Sequence, residues 1–170
     1  MLYAIGVEKG KECIVKAAMQ KEHVKAIVPQ EWRKKETKTE IETLFPGLVF
    51  ADIPYNARTY YLIKSIPHIV EFTHKPLTYT EESWVRLLEN VLEPSIIQEN
   101  GREIKIVSGI LKAFKSRITK VNRKVQNVTV SITLNGKERT FDLCYVKNED
   151  KTAVSKQKSK ESDIDITDTV

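Results

Sequence analysis

The spacing of apolar residues changes at Gly101, and that change limits most strongly what this chain can fold into. Beyond it apolar residues alternate: Ile104 and Ile106, then Val128, Val130, Ile132 and Leu134, then Phe141, Leu143 and Tyr145. β-Branched and aromatic residues at a period of two fit strands that bury one face. Asn135-Gly136 interrupts the longest run, and both residues tolerate the positive φ angles of a type I′ hairpin turn. Ile118 and Val121 add a further strand, and Val125 heads the run that continues to Leu134. Five short strands between Gly101 and Lys147 imply a small closed β-barrel.

Ahead of Gly101 the pattern is mixed. Leu2–Val7 reads as a strand. Lys11–Glu22 carries Cys13, Ile14, Ala17 and Ala18 at helical spacing. Val24–Pro29 reads as a short strand, and the polar Gln30–Glu42 as a solvated hairpin or flexible loop. Leu44–Ile53 is a strong strand interrupted by Pro46-Gly47, a pair that bends a strand by removing a ladder donor and permitting a bulge. Pro54–Ile66 reads as a helix capped by Asn56, and Ile69–Phe72 as a strand. A last helix opens at Thr80, with Trp84, Leu87, Leu88 and Val91 as its apolar stripe. The order gives an α+β sandwich. The expected boundaries are a first domain over 1–92, a linker over 93–100, a barrel over 101–147 and a disordered tail over 148–170.

Composition narrows the function. At 41% hydrophobic and 30% charged residues the chain is of ordinary globular type. No apolar run approaches the roughly 18 residues of a membrane span, and the N-terminus lacks the features of a signal peptide. A cytoplasmic monomer without membrane contact is expected. Cys13 and Cys144 are flanked by apolar residues and read as buried free thiols. His23, His68 and His74 have no metal-ligand spacing. Phosphate loops, nucleophile elbows and paired carboxylates are missing from the sequence, so no cofactor, metal or catalysis is expected. Residues 101–147 hold 11 basic and 3 acidic side chains, a net +8, against +1 for residues 1–92. A field concentrated on one domain points to a polyanionic partner.

The stretch Leu44-Phe45-Pro46-Gly47-Leu48-Val49-Phe50, with Tyr60-Tyr61-Leu62-Ile63 downstream and a small all-β segment after it, resembles the NusG family of transcription elongation factors. The resemblance covers roughly residues 1–147. It implies an N-terminal NGN α/β sandwich followed by a small SH3-like KOW β-barrel. Ser108-Gly109-Ile110-Leu111-Lys112-Ala113-Phe114 resembles the KOW signature Gly-Pro-Phe-x-Gly-Phe, with Gly109 and Phe114 matching and with Ile110 and Ala113 departing. The missing glycine and proline suggest a specialised paralogue, of the kind represented by LoaP or RfaH, acting in processive antitermination. Alternatives are the general NusG role, or a stand-alone RNA-binding or ribosome-associated KOW protein.

In NusG-like proteins an apolar patch of the first domain grips the clamp coiled coil of the largest RNA polymerase subunit. The resemblance puts Phe45, Leu48, Tyr60 and Tyr61 in or near that patch, with Leu48 where the family usually has Tyr. The competing reading makes them core residues of a small sandwich. Trp32, Arg33, Lys34 and Lys35 would lie near non-template DNA, with Trp32 stacking a base or covering a sheet edge. Lys112, Lys115, Arg117, Lys120, Arg123 and Lys124 could contact nascent RNA through phosphates, or form a solvated face. Phe114 and Leu134 could meet a small-subunit ribosomal protein. In RfaH the second domain can form a helical hairpin that masks the polymerase patch. Residues 110–134 contain no Gly or Pro, yet their Val, Ile and Thr content favours strand.

Overall fold

Strand β1 (Leu2–Val7) is apolar on both faces because both faces are covered and both edges are paired. The computed structural model of the protein describes residues 1–35, 37–72 and 75–148. After β1 come helix α1 (Glu12–Lys21), β2 (Lys25–Ile27), β3 (Gln30–Lys35), β4 (Lys38–Thr43), β5 (Leu48–Asp52), helix α2 (Ala57–Ser65), β6 (Ile69–Phe72) and helix α3 (Tyr79–Leu87). A four-stranded sheet has the order β2-β5-β1-β6, with every neighbour antiparallel. Strands β3 and β4 form a separate two-stranded hairpin.

Register decides what each face carries. Leu2 lies opposite Asp52 and Gly6 opposite Leu48. Tyr3, Ile5 and Val7 share a core with Val49, Ala51 and Ile53 of β5 and its exit, Val15 and Met19 of α1, and Ile63 of α2. Strand alternation sends Leu2, Ala4, Leu48 and Phe50 to the opposite face. Of these only Leu48 is left half-buried; the others are buried.

Both later helices begin at identifiable caps. Asn56 accepts the Thr59 N–H at 2.9 Å, as the sequence leads one to expect. Helix α3 differs from expectation. Its cap is Thr78, not Thr80: the Glu81 N–H donates to Thr78 Oγ1 at 3.2 Å, and the Thr78 N–H donates to Glu81 Oε1 at 2.8 Å. This reciprocal pair is a Thr-x-x-Glu capping box, which Thr80-x-x-Ser83 cannot make. The buried stripe changes accordingly to Val85 and Leu88, with Leu87 and Val91 exposed.

Five further strands, β7 (Ser95–Asn100), β8 (Glu103–Ser108), β9 (Ile118–Asn122), β10 (Asn127–Leu134) and β11 (Lys137–Lys147), form one sheet in the order β8-β7-β11-β10-β9. Residues 93–100, read from sequence as a linker, therefore include a strand. Ile97 is fully buried and the polar Gln98, Glu99 and Asn100 run out along the same strand. The Asn135-Gly136 turn has φ of 53° and 77°, as a type I′ hairpin requires. Residues 110–134 hold two short 3-10 turns and strands, with no α-helix. Residues 149–170, read as a disordered tail, lie outside the described residues.

By internal packing the chain divides into two units. One comprises Met1–Gln30, Ile41–Val91 and Ile132–Arg139; the other comprises Glu31–Glu40, Leu92–Ser131 and the chain from Thr140 onward. Gly109 shows how tightly the second unit is built. Its φ is +105°, and a Cβ there would stand 2.5 Å from Ser95 Oγ and 2.7 Å from Ser95 Cα. The buried Ser95 hydroxyl meanwhile accepts the Leu111 N–H at 3.1 Å. Gly109→Ala should lower the unfolding free energy by about 2–3 kcal/mol, from backbone strain and the displaced hydrogen bond together. Urea denaturation checks this.

Candidate functional site

The Phe45–Leu48 bend is where sequence and geometry meet. Pro46 has no N–H and Gly47 has φ of +85°, so the strand expected from Leu44 begins only at Leu48. A turn closes it, with the Leu48 N–H donating to Phe45 O at 3.1 Å. Val7 N–H donates to Gly47 O at 2.9 Å, tying the bend to the end of β1. The carboxylate of Glu12, 4% exposed, accepts the amides of Gly10 and Gly47 at 3.2 and 3.4 Å. The helical pattern of the sequence puts Glu12 on a solvated face; it is an internal brace. Its one legible signal is its place in the first turn of α1, behind Gly10.

The four candidate patch residues divide between the two sheet faces. Phe45 is buried, edge-on to Phe50 with ring centroids 5.9 Å apart. Leu48 is half-buried in a groove that it lines with Ala4, Gly6, Glu71 and Lys75 and with Leu134, Asn135, Lys137 and Arg139 of the β10–β11 hairpin, so part of its cover comes from that hairpin. Val49, Ala51 and Ile53 face α2, so Leu48 lies on the sheet face away from Tyr60 and Tyr61. Tyr60 is half-buried, packed edge-on to Phe72 at 5.8 Å and to Tyr61 at 5.4 Å. Tyr61 is 70% exposed. The Lys64 ammonium lies 5.7 Å from the Tyr60 ring centroid.

Six cations singled out in the sequence lie in the second unit. Lys112, Lys115, Arg117, Lys120 and Lys124 are exposed. Arg123 is exposed as well, but its guanidinium donates to Gly101 O at 3.0 Å and to Arg102 O, joining the β9–β10 turn to the β7–β8 turn. Asn122 Oδ1 accepts the Lys124 and Val125 amides at 3.2 and 3.4 Å and shapes that turn. Phe114 is fully buried, edge-on to Phe141 at 5.7 Å, and Leu134 is buried too.

Strands Gln30–Lys35 and Lys38–Thr43 pair, which is the hairpin reading of this stretch. Trp32 is 39% exposed and its N–H donates to Leu92 O at 2.8 Å. Lys34 is exposed, and Lys35 closes β3. Arg33 is committed, donating to Asp142 O at 2.6 Å. Glu31, expected on a solvated face, is fully buried. Its Oε1 accepts the Cys144 N–H at 2.8 Å and lies 3.4 Å from Arg33 Nε. Burial pushes its pKa up to about 7, against the lowering effects of the Cys144 amide and Arg33. Neither cysteine forms a disulfide, but Cys13 is exposed and Cys144 half-buried, contrary to the expectation of two buried thiols.

No group of three or more metal-ligating side chains occurs among the described residues, and no described helix is long and apolar enough to cross a membrane.

These features define a class: a mixed α+β chain with a bent strand leading into one sheet and exposed cations on a second, five-stranded sheet. The family model described as transcription termination factor NusG matches residues 2–98. The chain belongs to the NusG family. The transcription termination/antitermination protein NusG of Pseudomonas aeruginosa is 23% identical over 141 residues, which are 75% of this chain and 80% of that protein. The Campylobacter jejuni protein of the same name is 24% identical over 164 residues, 84% of this chain and 93% of that protein. A solved structure of Thermotoga maritima NusG, concerned with its domain interaction, superposes with a TM-score of 0.53 at 23% identity, covering 84% of this chain and 92% of that one. That likeness concerns the fold.

Glu31 supplies a prediction with a definite sign. A carboxyl whose folded pKa lies above its unfolded value of 4.5 favours folding when protonated, so its contribution falls as pH rises from the unfolded to the folded pKa. Glu31→Gln should gain about 3 kcal/mol relative to the parent between pH 4 and pH 8, most of it between about 4.5 and 7. Thermal or urea unfolding of both proteins across that range measures it.

Proposed function

We propose that this chain is an antitermination-type elongation factor that docks on RNA polymerase through its first unit and recruits nucleic acid through the cations of its second. The observation that carries the polymerase contact is the bend. Burying Phe45 and bracing Gly47 with Glu12 leaves Leu48 part-exposed beside Gly6, which has no side chain of its own. An aliphatic residue held on a rigid sheet beside a flat glycine suits a helical partner's apolar ridge. The clamp coiled coil of the largest polymerase subunit is that partner. Tyr60 and Tyr61 form a second apolar feature on α2.

No chemical step is involved. Binding the elongating complex more tightly than the paused one shifts their populations, and that difference in affinity is the activity. Recruitment is read from the second unit. Phe114 of that unit is buried, whereas Lys112, Lys115, Arg117, Lys120 and Lys124 are exposed, which supports a polyanion over a ribosomal protein as its partner. Nascent RNA, met through its phosphates, is therefore the favoured partner of that surface. Trp32 and Lys34, exposed on the hairpin, are the residues we assign to non-template DNA.

Leu48→Ser should weaken binding to RNA polymerase about tenfold with little change in stability. Phe45→Ala, by contrast, should cost about 3–5 kcal/mol of stability. Equal polymerase affinity for the parent and Leu48→Ser would overturn the patch. For the second surface, Lys112→Gln with Lys120→Gln should reduce the salt dependence of RNA binding by roughly one unit of slope for each phosphate no longer neutralised. An unchanged slope removes both residues from the RNA-binding surface.

A further inference from the structure

Leu48, Gly6 and Glu71 form a row across three neighbouring strands. Gly6 of β1 lies opposite Leu48 of β5 on one side and opposite Glu71 of β6 on the other. Directly opposed residues share a sheet face. The row therefore runs from an aliphatic side chain, over bare backbone, to an exposed carboxylate two strand spacings or roughly 10 Å away. It belongs to the groove, of about 230 Å³, in which Leu48 is half-buried. No aromatic side chain lines that groove, so it offers nothing on which a nucleic-acid base could stack.

The hairpin brings positive charge to the same groove. Asn135-Gly136 turns the chain tightly, and Lys137 and Arg139 follow on one side of β11. Farther along, that side carries Phe141, Leu143 and Tyr145, all buried. A strand serving only its own sheet would continue the apolar alternation up to the turn. Here the alternation gives way to two exposed cations, and both line the groove. Leu134, buried at the other side of the turn, lines it as well. By internal packing residues 132–139 belong with the first unit, so the hairpin tip and the row are parts of one unit. With Lys75, the lining holds three cations against one acid, Glu71.

We propose that the polymerase helix received by Leu48 carries carboxylates along one flank of its apolar ridge, and that Lys137 and Arg139 bind them. The β10–β11 hairpin is then part of the docking surface. Glu71 marks where the same helix carries no carboxylate. A helix laid in a groove presents its ridge and its flanks together, so an aliphatic centre bordered by fixed charge selects one pattern of side chains. Charges at such a border act on encounter rate and on the choice of partner. The inference rests on the polymerase reading of Leu48 and adds the chemistry of the segment that Leu48 meets.

The test is binding of the full chain to nucleic-acid-free core RNA polymerase at low and high salt. Lys137→Glu with Arg139→Glu should weaken binding at least about tenfold at low salt, and the difference should shrink to about twofold near about 0.5 M salt. Glu71→Lys should strengthen binding at low salt. Lys21→Glu, on the helix that packs against the other face of the sheet, should change it less than about twofold. All four replaced residues are exposed, so each variant should keep the fold. Unchanged affinity in the double variant, with Leu48→Ser still weakening binding, would overturn the inference and leave the polymerase patch standing. Unchanged affinity in both would remove the patch as well. Tighter binding by the double variant would make the hairpin a cover over Leu48 instead of part of the docking surface, and would overturn the inference too. So would an equal loss from Lys21→Glu, which would mark a general attraction between a basic chain and polymerase.

Discussion

The pairing of β1 with β5 is the constraint on which the first unit depends. It runs from Leu2 opposite Asp52 to Gly6 opposite Leu48, in the middle of the four-stranded sheet. A slip of one residue would exchange its two faces and move Tyr3, Ile5 and Val49 out of the core. The Phe45–Leu48 bend prevents the slip, because the Val7 amide and the Glu12 carboxylate fix Gly47 at one point along β1. The same hydrogen bonds that set the register also decide which aliphatic side chain stands at the surface. Structure and candidate binding surface therefore share one cause.

Different local devices hold the second unit. Gly109 passes so close to Ser95 that no side chain fits, and Ser95 returns a hydrogen bond to the next turn. Arg123 uses its guanidinium on two backbone carbonyls, which gathers the turns at one end of the sheet. Glu31 and Arg33 reach Cys144 and Asp142 from the β3–β4 hairpin. A buried carboxyl with its pKa near 7 makes that last attachment sensitive to pH in the neutral range.

Much of this is legible in the sequence, for reasons that can be named. Alternation after Gly101 marks the strands, Asn135-Gly136 marks the hairpin, and the Leu44–Phe50 stretch carries the family. Asn56 is readable as a cap because its effect is local. Other residues are not readable, because their roles depend on partners far away in sequence. Glu12 and Glu31 look like solvated charges until Gly47 and Cys144 come beside them. Ser95–Asn100 reads as a polar connector because Ile97 is the one apolar residue of that strand to be fully buried. Thr78 and Thr80 are equivalent caps by residue type; only the reach of the Glu81 carboxylate back to the Thr78 amide separates them. The candidate patch is the hardest case: sequence can name Leu48 and Tyr61 together, but strand alternation places them on opposite faces.

The most direct test of the central claim is hydrogen exchange of the full chain with and without RNA polymerase. New protection at residues 44–50, on the strand that carries Leu48, is the expected result. Protection confined to residues 95–131, with the bend exchanging as it does in the free protein, would contradict the assignment of the first unit as the polymerase-binding part.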